Sequence, residues 1–155
     1  MINSTCKGSV AVVKVKKMDH ICIAVKDLRA ACKIWEPFLG KEKPDDLYLD
    51  EAEKIRVARY WIGEVGFELM ESTSPDGDVA RFIEKRGEGV MVIGFNVDNT
   101  RDAVKTLQHR GYPLIPDARG VVVRPFRDCE YAFVHPGKLN GVLAEVIDYQ
   151  WNELK

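Results

Sequence analysis

The chain has 155 residues, 46% of them apolar and 30% charged. That balance fits a soluble globular chain with one real core or two tightly fused half-domains. Its 23 basic and 24 acidic residues nearly cancel, so no basic surplus points to nucleic acid and no charge block reads as an interaction tail. The opening MINSTCKGSVAVVKVKK has too short an apolar run to span a bilayer and lacks the order of a signal peptide. A cytoplasmic protein without a membrane partner is expected. Cys6, Cys22, Cys32 and Cys129 form no CxxC pair, and they read as free, mostly buried thiols rather than a zinc knuckle.

Residues 1–17 read as an extension, with Val10, Val12, Val13 and Val15 able to form an edge strand protected by Lys14, Lys16 and Lys17. A strand follows over 18–26, with Ile21, Ile23 and Val25 on one face and His20, Cys22 and Ala24 on the other. Asp27 then caps a helix carrying Leu28, Ala31, Cys32 and Trp35, and Gly40 closes it, with Pro37 expected to kink or end it near Glu36. After a polar loop, 54–62 and 65–72 form a hairpin around Gly63-Glu64. Ser74-Pro75 starts a short linking helix that ends at Gly87.

The order then begins again. A strand over 90–97 leads to a helix capped by Asn99 and closed by Gly111, and strands are expected near 120–124, 129–134 and 142–148. Laid over residues 92–105, residues 20–33 repeat Ile21, Val25, Arg29, Ala31 and Lys33, and set Asp27 against Asn99, cap on cap. Glu68 pairs likewise with Glu145. The expected fold is α+β: two fused βαβββ modules forming a pseudo-twofold half-barrel around a central cavity. Residues 18–150 make one domain, with module one over about 18–74, the linking helix over 75–88 and module two over about 89–150.

In such a half-barrel one sheet face packs on helices and the other lines the cavity. Strand alternation sends His20, Glu68, Val92 and Glu145 to the cavity. A lone histidine or glutamate in a strand is ordinarily a core or surface residue, and it is the repeat that makes these converge. Two carboxylates inside an apolar wall repel and are costly, and a divalent cation resolves both problems.

MDHICIAVKDLRAACKIWEPFLG (18–40), GFELMESTSPDGDVARFIEKRGEGVMVIGFNVDN (66–99) and HPGKLNGVLAEVID (135–148) together resemble the methylmalonyl-CoA epimerases of the vicinal-oxygen-chelate (glyoxalase/bleomycin resistance/extradiol dioxygenase) superfamily. The middle segment is the most specific, and it separates this group from glyoxalase I and the extradiol dioxygenases. The resemblance implies a glyoxalase-like fold, a homodimer, an acyl-CoA or carboxylate substrate and a divalent metal (Co, Mn, Ni or Zn). It places metal ligands at His20, Glu68 and Glu145. Val92 stands where the family carries a fourth ligand, a histidine. The catalytic base maps to the loop after the first helix, at Glu51 or alternatively Glu53, with Glu145 as the second catalytic group. His135 falls in the family's hairpin as a substrate contact or a structural turn residue. Arg124, Arg127 and Lys138 read as solvated surface or as contacts to coenzyme A phosphates. The implied reaction is exchange of the proton alpha to a thioester carbonyl. The residues leave open a divergent, metal-free isomerase, lyase or decarboxylase on another acyl thioester or oxoacid, and a non-catalytic ligand-binding protein.

Overall fold

A computed structural model describes residues 11–150; Cys6, Val10 and most of the expected extension lie outside them. The chain runs β1 (Val15–Ala24), α1 (Leu28–Leu39), β2 (Asp46–Asp50), β3 (Ile55–Ile62), β4 (Val65–Ser72), α2 (Asp78–Arg86), β5 (Gly89–Val97), α3 (Thr100–His109), β6 (Leu114–Ile115), β7 (Arg124–Phe126), β8 (Cys129–Val134) and β9 (Leu143–Ile147). The strands form a single sheet in the order β2-β3-β4-β1-β5-β9-β8-β6, with β7 on β8, and it curls into the half-barrel of a glyoxalase-like α+β fold.

The duplication is built into the hydrogen bonding. β1 runs parallel to β4, and β5 runs parallel to β9. β3 and β8 each pair antiparallel to the outer member of their half. The halves meet along the antiparallel β1–β5 ladder, where Ile21 faces Ile93, His20 faces Gly94 and Cys22 faces Val92. Ile21 and Ile93 are equivalent in the repeat and pair with each other, so the pseudo-twofold axis passes between them.

Periodicity explains the layers. α1 lays Leu28, Ala31 and Trp35 against Leu69, Phe67 and Ala58 on the convex face, and α3 lays Ala103 and Val104 against Val97, Ala132 and Val146. Asp27 and Asn99 cap these helices, accepting from the backbone N–H of Ala30 (2.9 Å) and Asp102 (3.0 Å). α2 sits differently. Its Val79, Phe82 and Ile83 pack against Cys22, Val57, Met70 and Val92 on the concave face, so it stops one end of the cavity. No helix among the described residues is long and apolar enough to cross a membrane.

Several local expectations need correction. β2 is a strand that the polar composition of the 41–53 loop concealed: its outward Leu47 and Leu49 are exposed and Tyr48 turns inward. α2 starts at Asp78 on Gly77, not at Ser74-Pro75, which forms a turn closed by Gly77 N–H on Ser74 C=O (3.1 Å). Pro37 does not end α1, which continues to Leu39; a proline in the last turn forfeits little before the left-handed Gly40 (φ +67°). The strand expected near 120–124 begins only at Arg124, because Asp117 Oδ1 accepts from the N–H groups of Arg119 and Val121 and folds that stretch into a turn. Val12 and Val13 precede β1 rather than belonging to it.

Asp27→Ala and Asn99→Ala are each expected to lower unfolding free energy by about 1 kcal/mol, the usual worth of an N-cap. Because the caps sit on separate modules, the double variant should lose close to the sum. Denaturant titrations with unchanged slope check this.

Candidate functional site

The concave face encloses a cavity of about 810 Å³, within the range of small-molecule sites. Two neighbouring rows of the sheet supply its polar floor. One row runs Gly66, His20, Gly94, Glu145 and the next Arg59, Glu68, Cys22, Val92, Leu143. The alternation that sends Ile21 and Ile23 toward α1 turns His20 and Cys22 inward together. Gly94 makes room for the imidazole: a Cβ there would lie 2.3 Å from His20 Cε1.

His20, Glu68 and Glu145 converge here, and all three are buried. His20 Nδ1 lies 2.6 Å from Asp19 Oδ1, and Nε2 lies 2.9 Å from Glu145 Oε2. Asn96 donates to Asp19 Oδ2 (2.7 Å) and to Tyr149 C=O (2.8 Å), fixing Asp19 from behind. Glu68 is ion-paired through Oε1 to the guanidinium of Arg59, its cross-strand partner, and its Oε2 accepts from Cys22 Sγ at 3.1 Å. Burial disfavours the charge on His20, but Glu68 and Glu145 outweigh it and hold the ring well above its ordinary value. Burial also opposes ionisation of Glu68, yet Arg59 and His20 bring its carboxyl below the usual range. Burial pushes the Glu145 carboxyl up, against the pull of the adjacent His20. Burial and the nearby Glu68 push the Cys22 thiol far up, so in this arrangement it is a neutral donor.

A second polar group lines the cavity. Glu53 Oε1 accepts from Arg124 Nη1 and from the Tyr131 hydroxyl, both at 2.7 Å. The Arg124 guanidinium also lies over the Phe133 ring, 5.1 Å from its centroid. Glu51, the favoured base, is exposed on the turn after β2 and does not line the cavity. Its neighbour Glu53 does. The turn decides this: Asp50 Oδ1 accepts the Glu53 N–H (3.1 Å) and Lys54 takes a left-handed φ of 55°, rotating Glu53 inward. Arg124 is buried rather than solvated. Arg127 is engaged by Asp46 (3.0 Å), and Lys138 lies over the Tyr112 ring. His135 stands at the cavity rim, where its Nδ1 accepts the Gly137 N–H (3.0 Å) in the turn before β9. Val92 is packed in the apolar cluster beneath α2. The sequence reading missed Arg59, Asp19 and Asn96, and took Cys22 only as a buried thiol.

The donor set fits a divalent ion. With Nδ1 held by Asp19, His20 turns Nε2 to the cavity, the arrangement in which an outer carboxylate orients a ligating imidazole. Ligand atoms of His20, Cys22 and Glu68 all lie within 4.8 Å of one another, and Glu145 adjoins His20.

Residues 19–133 match the family model described as glyoxalase/bleomycin resistance protein/dioxygenase superfamily. The chain belongs to this superfamily. An uncharacterised protein of Bacillus subtilis (strain 168), YqjC, is 30% identical over 139 residues, covering 86% of this chain and 93% of that one. The mitochondrial methylmalonyl-CoA epimerase of Bos taurus is 27% identical over 146 residues, covering 92% and 80% respectively. A solved structure of a methylmalonyl-CoA epimerase in complex with methylmalonyl-CoA and NH4+ superposes with a TM-score of 0.80 at 26% identity, covering 88% of this chain and 96% of that one.

Arg59→Leu should cost about 3–5 kcal/mol, because it strands Glu68 as a buried charge, whereas Arg59→Leu/Glu68→Leu should recover most of that loss. Chemical denaturation of the three proteins measures the difference.

Proposed function

We propose that the protein is an epimerase-type isomerase that removes and returns the α-proton of an acyl-CoA thioester, methylmalonyl-CoA or a similar 2-substituted malonyl thioester. The observation that carries this reading is the convergence, in one cavity, of His20, Glu68 and Glu145 with a separate carboxylate, Glu53, on another element. The likeness to methylmalonyl-CoA epimerases supports it.

In this reading Glu53 is the base. Arg124 and Tyr131 hold its Oε1, which orients the carboxylate so that the other oxygen meets the substrate's α-carbon. Glu145, on β9, is the second group in the proton traffic. A divalent ion held by His20, Glu68 and Glu145 would supply Lewis acidity for the charge that develops on the thioester oxygen. Asp19 and Asn96 keep His20 in its orientation, and Arg59 keeps Glu68 ionised. α2 shuts one end of the cavity against water and brings Arg81, Lys85 and Arg86 to its lining, positive charge suited to coenzyme A phosphates. The reading takes the protein as a cytoplasmic homodimer.

The test is proton NMR of methylmalonyl-CoA in deuterated buffer with metal-loaded protein. Loss of the α-proton signal at a protein-dependent rate is expected. Glu53→Gln should slow it by about 10²–10⁴-fold, Glu51→Gln should leave it nearly unchanged, and chelation should abolish it. No exchange by the metal-loaded wild type contradicts the reading, and exchange that survives chelation removes the metal from it.

A further inference from the structure

The β1–β5 seam contains an asymmetry that the repeat does not require. The twofold relates His20 to Val92 and Cys22 to Gly94, and the same ladder sets Cys22 directly across from Val92 and His20 directly across from Gly94. One module thus lacks a donor at Val92, and the facing position on the other strand carries a sulfur. Cys22 is buried, lines the cavity and directs Sγ to within 3.1 Å of Glu68 Oε2. Its sulfur falls in the same cluster as the ligand atoms of His20 and Glu68.

We infer that Cys22 is a ligand of this site: it supplies, as a thiolate, the fourth donor that Val92 cannot, so that His20, Cys22, Glu68 and Glu145 bind one zinc-like divalent ion. The inference rests on the metal site of the proposed function and adds to it a ligand and a metal preference. On binding, the Cys22 S–H bond breaks, its proton passes to solvent, and the freed electron pair forms the metal–sulfur bond. The contact from the thiol to Glu68 is thereby replaced by a shared cation. Three anionic donors against a dication leave one negative charge, and the buried Arg59 guanidinium already paired to Glu68 lies beside it. A thiolate softens the site, favouring zinc or cobalt over manganese or magnesium, which prefer oxygen donors.

The test titrates metal-free protein with cobalt(II) and follows absorption, then measures zinc affinity by competition with a chromophoric chelator. The wild type should develop a near-ultraviolet thiolate-to-cobalt charge-transfer band that saturates at one equivalent. Cys22→Ser should lose the band and weaken zinc binding by more than the roughly 10–100-fold cost of losing an outer-shell partner, with manganese binding changed far less. Cys22→Ser/Val92→His, which returns a nitrogen donor to the facing strand, should regain affinity without the band, separating ligand loss from damage to the fold. Cobalt bound without the band, unchanged zinc affinity in Cys22→Ser, or no metal bound at all overturns the inference. A charge-transfer band without α-proton exchange leaves Cys22 a ligand and removes the epimerase reading. Exchange with a bandless metal does the reverse.

Discussion

Ile21 and Ile93 face each other on the antiparallel seam between the two modules, and this pairing governs the rest of the molecule. Because side chains alternate along a strand, fixing that one pair decides which residues of both central strands look outward to the helices and which look inward. A one-residue slip would bury His20 and Cys22 against α1 and turn Ile21 and Ile23 into the cavity. The convex apolar clusters under α1 and α3 therefore hold the register, and the register in turn assembles the polar floor.

That floor is expensive to bury. Asp19, His20, Arg59, Glu68, Asn96 and Glu145 are all buried on or beside it. Each is tolerated because it has a partner: Arg59 for Glu68, Asp19 for His20, Asn96 for Asp19. Glu145 is paired with the imidazole, and burial raises its proton affinity. A concave apolar wall whose floor holds the buried carboxylates of Glu68 and Glu145 is poorly suited to simple packing and well suited to a cation.

Much of this was legible in the sequence. Alternation and the repeat were enough to send His20, Glu68, Val92 and Glu145 to one cavity. The caps at Asp27 and Asn99 and the hairpin at Gly63-Glu64 were readable from residue type. Arg59 was within reach as well. Counting outward from that two-residue turn pairs Ile62 with Val65 and hence Arg59 with Glu68, as the ladder shows. Asp19 was hidden because alternation sends it away from His20; a register shift between Met18 and His20 intervenes and brings its carboxylate to the ring. That Glu53 rather than Glu51 lines the cavity follows from a turn with a left-handed Lys54, a conformation lysine does not announce. Arg124 looked like surface because its partners, the Glu53 carboxylate and the Ile115 carbonyl, lie on other elements. β2 was missed because its apolar residues face outward on an edge strand flanked by acids.

The most direct test of the account is anomalous diffraction from crystals of the protein soaked in zinc. It predicts a single strong peak on the concave floor, about 2.0–2.3 Å from His20 Nε2, Cys22 Sγ and carboxylate oxygens of Glu68 and Glu145, with Arg59 still bonded to Glu68. No peak at that position, or zinc held only by residues away from the β1–β5 seam, would contradict it.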